Sequence, residues 1–479
     1  MKLGVPKETL DGEQRVALAP DGVSKLADRG VEVLVEAGAG RDYNVDDAYE
    51  EAGARVVADA EELWRTADVV AKVRAPTEAE LELAQKGSIV ISFLQPVQQA
   101  ELVNALATRE VTVLSMDAIP RIARAQSMDA LSSMSSISGY KGVVIAADAL
   151  GKYLPMMTTA AGTTKAAKVL VLGAGVAGLQ AIATARRLGA EVSGFDIRPE
   201  VKEQIESLGA KFVEPEPEEE PAEEEIEEEE PPRGFLQRVK AALGADELAP
   251  SSADGDSQDE PGDEGEEEGE KEDAGSAPGG YAREQAEEKQ RRDRELVSER
   301  LRETDVVITT ALIPGKPAPT LITEEMVDGM APGSVIVDLA AEAGGNCELT
   351  KAGEVVEHGL VHIHGPLDLP SSMPVHASQL YSRNVVSLVS HLVDDDGELE
   401  LDFEDEITDG VCLAHDGEVR HAGAREALGQ DPLPPSPAEE KRDREAEDTQ
   451  ADDEAEGEGD EQADGGRERE AAEASGREQ

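Results

Sequence analysis

The chain contains little that would cross-link it or anchor it in a membrane. Cysteine occurs only as Cys347 and Cys412, without the spacing of a metal site or a disulfide framework. No run approaches the roughly 18 apolar residues of a membrane span, and the N-terminus lacks the apolar region of a secretory signal. We therefore expect a soluble chain without a metal site, with free thiols in a reducing compartment.

Basic residues are scarce relative to acidic ones. Lys and Arg number 45 against 104 Asp and Glu, a formal net charge of -59. No basic face is available to displace counterions from phosphates, which argues against nucleic acid as a partner. Acidic residues also dominate segments that look folded, such as 46–51, and this pattern indicates a halophilic protein whose self-repulsion is screened by salt.

Apolar residues are sparse in two long stretches, 214–278 and 432–479, where Glu, Asp, Pro, Gly and Ser predominate. Such segments cannot bury enough apolar surface to offset the entropy lost on ordering. We predict an acidic disordered insert over 214–278 and an acidic disordered tail over 432–479. The folded part is then considerably smaller than the chain.

A glycine-rich turn follows the apolar run Val169–Leu172 and supplies the parts of a dinucleotide site in order. Gly173, Gly175 and Gly178 have the spacing that a tight turn, a close approach to phosphate and helix packing require. Asp196 ends the next apolar run about 20 residues on, where a carboxylate accepts a bond from a ribose 2′-hydroxyl and repels a 2′-phosphate. The pattern favours NAD, although Arg198 leaves NADP open.

Short apolar runs alternate with helical segments on both sides of this unit, which predicts an α/β fold. We expect two Rossmann-like doubly wound parallel-sheet domains: an N-terminal domain over 1–135, completed by about 367–428, and an NAD-binding domain over 136–366. A helix is predicted over Ser138–Lys152. Another, over Pro374–Leu392, is expected to return to the first domain.

Polar side chains cluster after the strand Val111–Leu114, between Pro120 and Ser136. One interpretation is a loop that caps a helix, with Asp129 or Ser132 at the N-cap. The other is a wall of hydrogen-bonding groups that faces a nicotinamide. All seven histidines lie at or after His358, so the usual acid–base residue of a dehydrogenase is absent from this region and from the glycine turn. His362, His364 and His376 are the candidates for an acid–base residue elsewhere in the chain.

These segments resemble the NAD(H)-binding component (domain I, alpha subunit) of proton-translocating NAD(P) transhydrogenase, in the alanine dehydrogenase/transhydrogenase family. The most specific match is Arg124-Ala-Gln-Ser-Met-Asp129 followed by Leu-Ser-Ser133. The resemblance implies catalytic roles for Arg121, Gln126, Asp129, Ser132 and Tyr281. It implies, together with the glycine motif, cofactor contacts for Gln126, Ser127, Met128, Asp129, Gly173, Gly175, Val176, Gly178, Asp196, Ile197, Arg198, Gly280 and Leu312.

The resemblance also implies partners. In that family the polar loop contacts the nicotinamide, a mobile loop carrying Gly280 and Tyr281 closes over it, and hydride passes to NADP(H) on a partner subunit. We therefore expect a homodimer that binds NAD(H) and is cytoplasmic, peripheral to the cytoplasmic face of the membrane through membrane-spanning subunits that carry the proton path. The acidic insert immediately before Gly279 departs from the family pattern.

Alanine dehydrogenase, which resembles the same two-domain plan, is the alternative. Arg15 and Lys72 match positions of that enzyme, but Gln95 stands where it has a histidine. Imine reduction requires an acid–base residue, whereas hydride exchange between two nicotinamides does not. A non-catalytic NAD-binding regulator would also fit the glycine motif, although it would leave the polar loop unexplained.

Overall fold

The computed structural model describes residues 1–40, 43–214, 280–312, 315–394 and 397–444, without the side chains of 280–290. Its strands are β1 Lys2–Val5, β2 Glu32–Glu36, β3 Arg55–Val57, β4 Val69–Ala71, β5 Ile89–Ser92, β6 Thr112–Ser115, β7 Met157–Thr159, β8 Gly162–Thr164, β9 Lys168–Leu172, β10 Glu191–Phe195, β11 Lys211–Phe212, β12 Val306–Thr309, β13 Val335–Asp338, β14 Val355–His358, β15 Val361–His364, β16 Cys412–His415 and β17 Glu418–Val419.

The α-helices are α1 Pro20–Ala27, α2 Asp46–Glu51, α3 Ala60–Thr66, α4 Glu78–Leu83, α5 Ala100–Thr108, α6 Ala130–Ala149, α7 Val176–Arg187, α8 Lys202–Ser207, α9 Gly280–Leu301, α10 Glu324–Asp328, α11 Pro374–Leu392, α12 Glu406–Val411 and α13 Ala422–Ala427. Short 3₁₀ helices span Ala123–Met128, Pro199–Val201 and Ala341–Ala343. None of the described helices is both long and apolar enough to cross a membrane.

Two separate sheets organise these elements. The first has the strand order β17-β16-β6-β5-β4-β1-β2-β3, and the second has the order β11-β10-β9-β12-β13-β15-β14. Pairing within these two sheets is parallel except for β16 against β6, β17 against β16 and β14 against β15, and β7 and β8 form a separate antiparallel hairpin. The predicted α/β class with two Rossmann-like parallel-sheet domains is confirmed, and the late strand β16 joins the first sheet.

Apolar residues pack on both faces of the first sheet, as is usual for a mainly parallel sheet covered by helices. Val69 and Ile91 pack with Tyr381 of α11 on one face, whereas Val70 and Val90 pack with α3 and α5 on the other. The second sheet has its own core of β9, β12 and β13 with α6 and α7. Helix α11 therefore returns to the first sheet, as the sequence predicted.

Helix α6 joins the two cores. Met134 and Ile137 belong to the first core, and Val143 and Ala146 belong to the second. The helix begins at Ala130, eight residues before the predicted start, because the Asp129 side chain caps it by accepting from the Ser132 N–H at 2.8 Å. The predicted domain boundary at 135/136 falls inside this helix, and the domain limits stay a prediction.

Residues 214–296 separate as a unit of their own from the rest of the chain. Apart from Glu214, the predicted acidic insert lies outside the described residues. So does the tail from 445 onward. Residues 432–444, which the sequence assigned to the tail, are described: Ser436 Oγ donates to Asp409 at 2.7 Å, and Ala438 is buried. These contacts differ from the disorder predicted there.

Candidate functional site

The carboxyl end of the second sheet forms the candidate site. The chain leaves β9 for β10 on one side and returns in β12 on the other. This reversal of strand order opens a crevice at the ends of the strands, which is where α/β sheets bind ligands. The glycine turn Gly173–Gly178 lies at that point, between β9 and α7.

Each glycine of the turn has a distinct structural reason. Gly173 has φ +99°, a left-handed conformation that favours glycine. A Cβ on Gly178 would overlap the carbonyl oxygen of Gly173, so α7 could not approach the turn as it does. At Gly175 no described heavy atom lies within 4 Å of where a Cβ would stand. That free space at the N-terminus of a helix is where a pyrophosphate fits.

Asp196 follows β10 at the same edge. Its Oδ2 accepts from the Ala174 N–H at 2.7 Å, and both oxygens accept from the Arg198 guanidinium at 3.0 Å. Burial raises the pKa of Asp196, but the hydrogen bonds from Arg198 and Ala174 outweigh it and hold the pKa below its ordinary value. The carboxylate is therefore ionised, and the Arg198 side chain that pairs with it is half-exposed.

Three predicted cofactor contacts are apolar and exposed. Val176 is 44% exposed, Ile197 67% and Leu312 56%. They follow the adjacent strands β9, β10 and β12, whose carboxyl ends share one edge. Exposed apolar side chains at the ends of adjacent strands are of the kind that covers a flat apolar ring such as adenine.

A buried hydrogen-bond network that the sequence did not suggest supports the segment that carries Leu312. Asp338, fully buried at the end of β13, accepts from Thr309, Thr350 and three backbone N–H groups. Asn346, also fully buried, donates to the Ala311 carbonyl at 2.8 Å and accepts from its N–H at 3.0 Å. Thr310 donates to the Gly173 carbonyl at 3.1 Å. The segment leading to Leu312 is thus fixed to the glycine turn.

The polar loop 121–129 lies after β6 of the first sheet. Arg121, Gln126 and Ser127 are exposed, and in the described part of the chain the side chains of Arg121 and Gln126 have no hydrogen-bond partner. Met128 is 5% exposed and belongs to the core. Asp129 also accepts from Ser132 Oγ at 2.5 Å. The capping interpretation therefore describes Asp129 and Ser132, and their role at a nicotinamide stays a prediction.

Gly280 and Tyr281, predicted to lie on a mobile loop, are the first two residues of α9. Their side chains lie outside the described part, and their role as a lid stays a prediction. Among the histidines considered, His362 and His364 lie on β15, and His376 is exposed on α11. Burial lowers the pKa of His364. No group of described His, Cys, Asp or Glu side chains is placed to hold a metal ion.

The corresponding edge of the first sheet is filled by an ionic cluster that the sequence did not predict. Its members are Glu8, Glu13, Arg15, Lys72, Arg74, Glu80 and Asp368. Arg15 donates to both oxygens of Glu13, at 2.8 and 2.5 Å, and its side chain is 4% exposed. Lys72, at 1%, contacts Glu80 and lies 3.6 Å from Glu8.

The carboxylates of this cluster differ in protonation. Burial raises the pKa of Glu8 to about 7, against the weaker opposite effect of Lys72. Burial also raises the pKa of Glu13, but its hydrogen bonds and charge contacts with Arg15 and Arg74 dominate and lower it to about 2. Both cations that the sequence matched to alanine dehydrogenase are thus neutralised by the protein's own carboxylates.

Known proteins resemble this chain over most of its length. Residues 4–138 match the alanine dehydrogenase/PNT N-terminal domain, and residues 142–422 match the C-terminal domain of that family. An NAD(P) transhydrogenase subunit alpha chain of Rhodospirillum rubrum is 42% identical over 429 residues, covering 88% of this chain and 98% of that protein. NAD(P) transhydrogenase subunit alpha of Haemophilus influenzae is 43% identical over 421 residues, covering 87% and 71%.

A solved structure agrees with these sequence relatives. The crystal structure of transhydrogenase from Sinorhizobium meliloti superposes with a TM-score of 0.69 at 40% identity, covering 88% of this chain and 100% of that one. The predicted family resemblance is confirmed, and this chain belongs to the alanine dehydrogenase/PNT family.

Proposed function

We propose that this chain is the NAD(H)-binding subunit of a proton-translocating NAD(P) transhydrogenase. It passes hydride between NADH on this chain and NADP(H) bound on a partner subunit, coupled to proton movement by membrane-spanning subunits. The names of the relatives support a transhydrogenase subunit. One contrast carries the proposal. The space beside Gly175 at the second sheet is free, whereas Arg15 and Lys72 at the first sheet are paired with Glu13 and Glu80 of the protein itself.

The residues of the second sheet fit a dinucleotide. The N–H groups at the start of α7 would bind the pyrophosphate beside Gly175, and Asp196 would accept from the adenosine ribose in place of Arg198. Val176, Ile197 and Leu312 would cover the adenine. A bound nicotinamide would supply the hydride, and the loop residues Arg121, Gln126 and Ser127 would orient it without moving a proton.

Alanine dehydrogenase activity remains the second candidate because one histidine does approach the first sheet. His421 is the N-cap of α13, and the nearby Asp117 accepts from the Gln95 N–H at 2.7 Å and opposes the larger effect of burial on the pKa of His421. However, His421 Nδ1 accepts from the Ala424 N–H at 3.1 Å, and burial lowers its pKa. The ring serves as a neutral helix cap. A substrate carboxylate would also have to displace Glu13 from Arg15.

Assays that separate the two candidates use the same purified chain. Combined with its NADP-binding and membrane partners, it should transfer hydride from NADH to an NADP analogue. Given L-alanine and NAD, it should form no NADH above background. Alanine-dependent NAD reduction without transhydrogenation would overturn the proposal, and binding of NADH with neither reaction would favour a regulator.

We also propose that the chain dimerises through the hairpin β7–β8. Every residue of both strands is exposed, and beside them Tyr153 is 59% and Met156 65% exposed. An isolated two-stranded hairpin is at best marginally stable in water. A second copy of the chain would cover these apolar side chains. Light scattering should give a dimer mass for the unmutated chain and a monomer mass for Met156→Asp, and a monomer in both would contradict the interface.

We further propose that the chain lies at the cytoplasmic face of the membrane through its partners, and that its acidic surface is an adaptation to high salt. Helix α2 illustrates it, since Asp46 and Asp47 open the helix and Glu50 and Glu51 are exposed at its end. Salt screens repulsion between such exposed charges. Melting temperature should therefore rise with ionic strength, and a salt-independent melting curve would count against this adaptation.

A further inference from the structure

The polar loop 121–129 packs against helix α11, which lies about 250 residues later in the sequence. Ala125 and Met128 are buried in the first core with Tyr381 and Val385 of α11. Gln126 and Ser127, between them, are exposed. The loop therefore presents a short exposed segment whose two flanking residues are fixed by packing.

A single side-chain hydrogen bond joins that segment to the helix. Asn384 Nδ2 donates to the Ser127 carbonyl at 2.9 Å. Its orientation is unambiguous, because a carbonyl only accepts and the amide nitrogen must face it. Asn384 is 5% exposed, and its Oδ1 is buried without a partner among the described residues. A buried acceptor without a partner lowers stability. Among the described residues, the hydrogen bond to Ser127 is therefore the one favourable polar interaction of the Asn384 side chain.

A second anchor lies two turns further along the same helix face. His391 of α11 contacts Asp405 at 2.9 Å, and Asp405 accepts from Arg124 of the loop at 3.0 Å. Asp405 also accepts from the N–H groups of Ile407 and Thr408, which fixes it at the start of α12. The loop is thus tied to α11 directly through Ser127 and indirectly through Arg124.

We propose that Asn384 is a positioning residue for the nicotinamide half of the cofactor. It holds the Ser127 backbone, and through it fixes the direction of the adjacent Gln126 side chain. The inference rests on the proposed function, since it assumes that this loop faces the nicotinamide. It assigns no contact with the adenosine half, whose residues all lie on the second sheet. Asp405 assists from the exposed side of the loop.

The test compares two ligands that share the adenosine half. NADH and ADP-ribose both contain the adenosine diphosphate, but only NADH has the nicotinamide. Asn384→Ala should weaken NADH binding about three- to tenfold, the effect of losing roughly one neutral hydrogen bond. ADP-ribose binding should stay within about twofold. Asp405→Asn should also weaken NADH binding, but by a smaller factor than Asn384→Ala.

Ser382→Ala is the matched control. Ser382 lies on the same helix, is fully buried and has a hydroxyl without a partner among the described residues, but it faces Gly22 of α1 instead of the loop. It should leave the affinities for both ligands unchanged. Because Asp405 is a partly exposed cap residue, Asp405→Asn keeps the inference testable if Asn384→Ala does not fold.

Three results would overturn the inference. Asn384→Ala could bind NADH normally, it could weaken NADH and ADP-ribose equally, or Ser382→Ala could match its effect. If Asn384→Ala does not fold, normal NADH binding by Asp405→Asn would overturn it as well. Failure of the proposed function looks different, because the unmutated chain would then bind NADH but transfer no hydride with its partners.

Discussion

The carboxyl ends of the two sheets differ in what occupies them. At the first sheet, Arg15 and Lys72 are buried against Glu13 and Glu80, so the protein's own side chains fill the edge. At the second, the space beside Gly175 is free. Parallel strands create a potential binding edge in both domains. The two edges differ in the space that the protein's own side chains leave free: the Asp196–Arg198 pair at the second edge is partly exposed, whereas the pairs at the first are buried.

The largest expected effect concerns the filled edge. Lys72→Met removes the buried cation and leaves Glu80 without its partner, so stability should fall by about 3–5 kcal/mol. NADH affinity of the folded variant should stay within about twofold. Denaturant unfolding and an NADH titration measure the two effects.

Lys86→Met is the matched control for that change. Lys86 pairs with Glu110 on the surface, with both side chains at least half exposed. Its loss should change stability by less than about 1 kcal/mol. If Lys72→Met weakened NADH binding as strongly as it weakened the fold, the two edges would not be independent.

The glycine turn supplies the next test. Gly178→Ala would force a methyl group against the Gly173 carbonyl, and the shift of α7 should cost about 1–3 kcal/mol of stability together with most of the NADH affinity. Gly151→Ala, where a Cβ would meet no described atom within 4 Å, is the control. Equal thermal unfolding of both variants would show that the close approach is not required.

Cofactor preference should respond to Asp196. Asp196→Ala removes a charge-assisted acceptor worth roughly 1.5–3 kcal/mol, so the preference for NADH over NADPH should narrow about ten- to a hundredfold. Arg198→Ala should instead weaken whatever NADPH binding remains. Glu203→Ala, an exposed carboxylate on α8, is the control. If Asp196→Ala kept the same preference for NADH over NADPH, the Asp196 carboxylate would have no part in recognising the ribose.

A pH dependence of stability is expected at the filled edge as well. The pKa of Glu8 is about 7 in the folded chain against an ordinary 4.5, so the folded state binds more protons between these values. Its contribution to stability is complete below about pH 4.5 and is lost as the pH rises through 7. Glu8→Gln keeps that position neutral and should be more stable than the unmutated chain by about 3 kcal/mol above pH 7.

Unfolding free energies across pH 4.5 to 8 measure this difference. Glu78→Gln, exposed on α4, serves as the control and should run parallel to the unmutated chain. If the difference between Glu8→Gln and the unmutated chain did not change with pH, the pKa of Glu8 would be the same in the folded and unfolded chain. That result would contradict a raised pKa at the filled edge.

Local patterns predicted what short stretches of chain determine. The run Val169–Leu172, the glycine turn, Asp196 and the full length of α11 were all visible in sequence, since periodicity and spacing are local. The start of α6 was not, because its serine-rich first turns have little helical preference. Met134 and Ile137 are packed into the first core, and Asp129 caps the helix. Tertiary packing overrode the local signal.

Residues that act through distant partners escaped prediction. Asp338 and Asn346 lie eight residues apart, but Asp338 also accepts from Thr309 of β12, and Asn346 binds Ala311 of the loop after β12. Asn384 reaches a carbonyl more than two hundred residues away in sequence. Buried carboxyl or amide side chains in otherwise apolar segments are the only signal that a sequence offers for such contacts, and it does not name the partner.

The most direct test of the difference between the two edges is a calorimetric titration of NADH into the unmutated chain and into Gly175→Ala, at high salt. A methyl group at Gly175 meets no protein atom within the described residues, but it would occupy the space assigned to the pyrophosphate. The account predicts one NADH site per chain in the unmutated protein, at least tenfold weaker in Gly175→Ala, with the same melting temperature for both. Equal NADH affinity in the two proteins would contradict it.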